Sequence, residues 1–134
     1  MEMTKISVNI ASHGVVEPCE IILIGELPLQ IEVRSMSIGV RSFFGNNLFE
    51  ALVELRLELE RQNRLLLCNA ARKDCYPSRM SLEMGGGRQV YLFTSGIQAK
   101  KEDLVDAFGA ATVDQVCTVV AQRANYENWI RSLK

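Results

Sequence analysis

The chain has 134 residues, of which 48% are hydrophobic and 23% charged. That is the length of one ordinary domain, 1–134, with enough apolar content for a core and too much for a disordered segment. The formal net charge of −1 argues against a protein built to hold nucleic acid by its phosphates, which carries a basic excess.

Residues 5–12 alternate, with Ile6, Val8 and Ile10 on one side and Ser7 and Asn9 on the other. Period two with β-branched residues predicts a half-buried strand, and His13-Gly14 supplies a turn. The apolar run 19–24 predicts a more central strand. Residues 29–34 alternate again, and Pro28 before them calls for a turn or bulge because it cannot donate a ladder hydrogen bond. The first third is thus expected to be a three-stranded antiparallel meander.

A helix is expected over 46–63. Asn46 or Asn47 can cap it, and Leu48, Leu52, Leu55 and Leu59 recur at helical spacing as a core stripe. Val53 and Leu57 widen that face, while Glu50, Glu54 and Glu58 form a solvated one. The apolar run 65–71 predicts a buried strand. Tyr76-Pro77-Ser78 can start a short helical turn over 79–84, which Gly85-Gly86-Gly87 ends. Residues 88–94 predict another strand, and Leu104, Val105 and Phe108 mark a further short one. A last helix is expected over 113–133, capped by Thr112 or Asp114, with Val116, Val120, Ile130 and Leu133 on its buried side and Val119, Tyr126 and Trp129 nearby. The order of elements predicts an α+β fold: a mainly antiparallel sheet of about five strands with two long helices packed on one face.

Charge is uneven along the chain. Residues 1–63 hold five bases and nine acids, 64–101 seven bases and two acids, and 102–134 three bases and five acids. The basic middle is either a solvated surface or a docking face for something acidic. The N-terminus lacks the apolar run of a signal peptide, and no segment approaches the roughly 20 apolar residues of a membrane span. A cytoplasmic location is therefore expected, without a membrane partner.

No residue pattern fixes a reaction. Cys19, Cys68, Cys75 and Cys117 show no Cys-x-x-Cys pairing, and His13 is the sole histidine, so neither a metal site nor a cofactor is implied. Cys75 is the best thiol candidate for a nucleophile, because Arg72, Lys73 and Arg79 nearby would lower its pKa, yet it has no assured histidine partner. Gly85-Gly86-Gly87-Arg88 departs from a phosphate loop, since a strand rather than a helix follows the glycines. Glu102, Asp103 and Asp106 read as a solvated face rather than a hydrolytic acid pair. The segment 69–80 mixes arginine, tyrosine and methionine, residue types favoured in protein interfaces. Within it Arg72, Lys73, Asp74, Tyr76, Arg79 and Met80 are the candidate partner-binding residues, against the alternative of a connecting loop pinned by its own polar contacts.

One stretch, Phe49 to Tyr91, also carries a resemblance. Leu57-Glu58-Leu59-Glu60, then Leu67-Cys68-Asn69-Ala70-Ala71-Arg72-Lys73-Asp74, then Tyr76-Pro77-Ser78-x-Met80, then Met84-Gly85-Gly86-Gly87-Arg88 resemble small bacterial proteins encoded beside polymorphic or contact-dependent growth-inhibition toxins. The likeness covers about a third of the chain. It implies an immunity protein, which binds and blocks a cognate toxin without a cofactor or a reaction of its own. No contact residue carries over from it. The alternatives are a small enzyme centred on Cys75 or His13, and an adaptor domain in a larger assembly.

Overall fold

Two long strands that bury the same face open the fold. In the computed structural model, which describes residues 4–25 and 29–134, β1 (Thr4–Ser12) pairs antiparallel with β2 (Val15–Ile24) in the register Val8↔Cys19 and Ser12↔Val15. His13 and Gly14 join them with φ of 49° and 81°, the positive values that a two-residue hairpin turn uses to match strand twist. β2 begins four residues before the expected run. β3 (Leu29–Ser35) reaches only Cys19–Ile24 of β2. Pro18 thus lies where β2 has one open side, a position that tolerates a residue without a backbone N–H. Pro28 lies outside the described residues.

The meander has a fourth strand, β4 (Gly39–Gly45), paired with β3 at Ile31↔Phe43 and Val33↔Arg41. Alternation is masked there because its inward-facing position 41 is an arginine. The Arg41 guanidinium escapes the core by lying over the Phe43 ring, 5.7 Å from its centroid, and pairing with Glu58 at 2.8 Å. β5 (Leu65–Leu67) adds to the far side of β1, opposite Ala11, Ile10 and Asn9, which completes a five-stranded antiparallel sheet in the order β4-β3-β2-β1-β5.

Helix α1 (Leu48–Arg61) lies on this sheet. Its N-terminus is capped by Asn47, whose side-chain oxygen accepts from the Glu50 N–H at 2.9 Å. Leu48, Leu52, Leu55 and Leu59 are at most 1% exposed and join Ile10, Ile21, Ile31, Val33 and Phe43 in one core. Leu57 is exposed, whereas Glu58 is held by Arg41 and Arg61.

The expected buried strand over 65–71 stops at Leu67, because Asn69–Ala71 tightens into a 3-10 turn. Its amides go elsewhere: Asn69 N–H donates to Gly109 O at 2.8 Å and Ala70 N–H to Ala107 O at 2.9 Å. From there the chain builds a second layer. β6 (Cys75–Tyr76), β7 (Gln89–Leu92) and β8 (Leu104–Asp106) form a separate antiparallel sheet in that order. α2 (Arg79–Gly85) begins at Ser78, which exchanges reciprocal hydrogen bonds with Ser81.

The last helix differs most from expectation. Val113–Gln115 is a 3-10 turn, residues 116–118 are extended, and α3 (Val119–Ser132) starts only after Thr118, whose hydroxyl accepts from Ala121 N–H. Val116 is buried, but ahead of the helix, and Val120 is 75% exposed. The two long helices therefore do not share one sheet face. α1 covers the five-stranded sheet, and α3 packs on β6 and on α1. The class is α+β as expected, with eight strands among the described residues, in two sheets rather than about five in one. No helix among the described residues is long and apolar enough to cross a membrane.

Candidate protein-binding face

A buried polar node joins α1, α3 and the segment from Ala70 to Cys75. Arg56 of α1 is 2% exposed and Gln122 of α3 is 1% exposed. Arg56 donates to Gln122 Oε1 at 2.6 Å, to Ala70 O at 3.2 Å and to Cys117 O at 3.0 Å. Gln122 Nε2 shares its two hydrogens among the carbonyls of Ala70, Arg72 and Cys75 at 2.8–3.0 Å. Burial lowers the pKa of Arg56, and Glu60 on the next turn of α1 opposes that shift. Glu60 also accepts from Val119 N–H at 3.0 Å, at the start of α3. Buried polar groups need such partners, and among the described residues every buried side-chain nitrogen and oxygen has one.

The node fixes α3 against β6, and this brings a row of aromatic rings together. Tyr76 stacks on Tyr126 with centroids 4.2 Å apart, and Phe49 meets the Tyr76 ring edge-on at 5.3 Å. Phe93 stacks on Trp129 at 5.3 Å, and Tyr126 lies 6.0 Å from Trp129. Such ring pairs add about 0.5–1.5 kcal/mol each beyond their buried area. Arg123 lies over both tyrosines, 5.7 and 5.9 Å from the ring centroids, and donates to the Tyr76 hydroxyl at 3.0 Å. The loop after β7 is tied to the end of α3 by Trp129 Nε1 to Ile97 O at 2.9 Å and by Gly96 N–H to Ser132 Oγ at 2.8 Å.

Two recesses open on either side of the Tyr76-Pro77 ridge. One, about 400 Å³, is walled by Met80, Tyr91, Phe93, Tyr126, Trp129 and Ile130 and has no charged residue in its lining among the described residues. The other, about 490 Å³, lies between β4, α1 and α3 and takes in Phe44, Phe49, Glu50, Glu54, Leu82 and Arg123. Phe44 is 52% and Met80 68% exposed. Exposed aromatic and methionine side chains gathered around concave, mainly apolar surface are the composition of an interface core.

The six residues singled out from the sequence do not form one surface. Tyr76 and Met80 stand on this face. Arg79 faces a different recess with Asn46, Glu50 and Glu83. Arg72 is mostly buried and bonds Asp74 through Nε and Nη2 at 2.7 and 2.9 Å, so its charge is spent within the loop. Lys73 is exposed, but its backbone is held on both sides, by Gln115 O and by the Asn125 side chain. The basic middle segment is likewise dispersed: Arg64 borders the His13 turn and Arg88 a recess beside Leu23 and Leu29. Sequence reasoning missed Arg123, Phe93 and the outward role of Tyr126 and Trp129. The steps of three from 123 to 126 to 129 on one helix are the available signal, whereas the sequence reading sets Tyr126 and Trp129 beside the buried side of the helix and leaves Arg123 out.

The thiols do not assemble a reactive site. Cys75 is fully buried, and burial, with the Asp74 charge second, pushes its thiol up to about 12. The lowering effect of Arg72 is too small to offset this, because that guanidinium serves Asp74. Burial likewise raises Cys19 to about 12 and Cys68 to about 11, and Cys117 upward. His13 sits exposed on the β1–β2 turn, in a recess lined by Glu17, Met36 and Arg64 with no thiol among them. No protein-family model matches the chain, and no curated protein matches it.

Proposed function

We propose that this chain is a non-catalytic binding protein that docks a protein partner on the aromatic face. We further propose that the partner is a bacterial toxin domain, which makes the chain a cytoplasmic immunity protein. The observation that carries the first step is the charge-free recess beside the stacked Tyr76, Tyr126 and Trp129. Aromatic side chains of this kind supply most of the energy in interface hot spots, where truncation commonly costs 2 kcal/mol or more, on the order of a thirtyfold change in affinity. The raised pKa values of the buried cysteines favour binding over thiol chemistry. The toxin as partner rests on the resemblance between Leu57 and Arg88.

Co-expression with the toxin domain encoded by the neighbouring gene tests the reading. The expected outcome is rescued growth and co-purification of the two chains, with both lost in Trp129→Ala and Ile130→Asp variants that still fold. No rescue against any neighbouring toxin would remove the immunity role. Rescue that survives both substitutions would move the interface elsewhere.

A further inference from the structure

We propose that the two recesses flanking the Tyr76-Pro77 ridge together recognise a partner segment that pairs a basic side chain with a large apolar one. The proposal deepens the binding role argued above and rests on it.

The recesses differ in charge. The one beside Trp129 has an uncharged lining of rings and aliphatic side chains, which suits an apolar side chain and leaves any buried charge there without a partner. The one beside Phe44 holds two carboxylates, Glu50 and Glu54, on successive turns of α1. Among the described residues no cation lies within ion-pair distance of either. Glu50 is met by neutral amides, with Asn47 Nδ2 at 2.9 Å and Asn46 Nδ2 at 3.5 Å. Glu54 is exposed.

Arg123, the cation in the same lining, is already engaged. It donates to the Tyr76 hydroxyl and lies 3.8 Å from Glu127, and its guanidinium rests against the two tyrosine rings. The recess therefore sets two carboxylates against one engaged guanidinium, a net negative lining over an apolar floor of Phe49, Val53 and Leu82, with Arg79 on the other side of Glu50. A lysine or arginine places its methylene stem on such a floor and its head at the carboxylates. An acidic residue at the same place meets like charge. Because Tyr76 and Pro77 line both recesses, one continuous segment crossing the ridge can fill both.

The test is a selection from a random dodecapeptide library against the full chain, run in parallel with Glu54→Arg, Trp129→Ala and Ile130→Asp chains. Glu54 has no hydrogen bond or ion pair among the described residues, so its reversal leaves the fold intact. On the unsubstituted chain the recovered peptides should combine lysine or arginine with leucine, phenylalanine or tryptophan. On Glu54→Arg the basic preference should disappear and give way to acidic residues, with the apolar preference kept. Trp129→Ala and Ile130→Asp should each lose the apolar preference. Peptides that keep the apolar residue but show no charge preference, or an acidic one, on the unsubstituted chain would overturn this inference and leave the binding face standing. Recovery of the same peptides on all four chains, or of none on any, would overturn both.

Discussion

The Arg56 guanidinium donates to the Gln122 side-chain oxygen at 2.6 Å, across 66 residues of chain, with no carboxylate in direct contact among the described residues. Gln122 is thus the acceptor for a buried cation and at the same time the donor for three backbone carbonyls of the segment leading into β6. Gln122→Leu should strand both sets of groups and cost on the order of 3 kcal/mol. Arg56→Met removes the charge itself, so the double variant should be less damaged than the two single losses added together. A double-mutant cycle by urea unfolding should give a coupling of about 0.5–3 kcal/mol, and additive losses would show that the two side chains do not act as a unit.

The three consecutive glycines have separate duties. Gly86 closes α2 in the left-handed region at φ 66°, and its carbonyl accepts from Leu48 N–H at 2.8 Å. Gly87, at φ 78°, passes so close to α1 that a Cβ would stand 2.8 Å from the Phe49 backbone nitrogen. Gly85 is the last residue of α2, with open space where a Cβ would go. Gly87→Ala should therefore destabilise by more than about 1 kcal/mol, from strain and clash together. Gly85→Ala should be neutral or stabilise by up to about 1 kcal/mol. Thermal unfolding of the two variants separates them, and equal shifts would contradict this assignment.

Leu55 is fully buried beneath the sheet. Leu55→Ala should cost about 2–5 kcal/mol in denaturant unfolding. A loss near zero would mean that this face of α1 is not in the core.

Stability should fall in alkali. Cys19, Cys68 and Cys75 have native thiol pKa values of about 12, 11 and 12 against 9.0 when exposed. Below pH 9 both states hold these protons and the thiols leave stability unchanged. Above it the unfolded chain ionises first, and the native state is disfavoured until its own thiols titrate. Each thiol should remove about 1.4 kcal/mol per pH unit in that window. A Cys75→Ala variant should show a shallower decline between pH 9 and 11 than the unsubstituted chain. Identical slopes would show that burial of this thiol does not govern the effect.

What was legible in the sequence follows from how each element is stabilised. β1, β3 and α1 are held by burial of one apolar face, so period two or a leucine stripe exposes them directly. β4 hides because Arg41 occupies an inward position and is rescued by Phe43 and Glu58, contacts that lie far off in sequence. α3 hides its phase because its buried residue is Gln122 and its aromatic residues are half exposed. Of the partner-binding candidates, Tyr76 and Met80 share the aromatic face. Arg72 looked available only because its bond to Asp74 is a matter of loop conformation.

That α3 is seated by the Gln122 hydrogen bonds and by half-buried rings rather than by a stripe of fully buried aliphatic residues has a dynamic consequence. Lifting this helix off its seat parts the Tyr76–Tyr126 and Phe93–Trp129 ring contacts but uncovers no fully buried apolar side chain of its own, so the heat-capacity and denaturant signatures of such an opening are smaller than those of full unfolding. Amide protons along 119–132 should exchange with deuterium sooner than those of α1, through a partial opening well below the cost of full unfolding. Trp129 and Tyr126 would travel with the helix, so such an opening would reshape the contact surface without unfolding the five-stranded sheet.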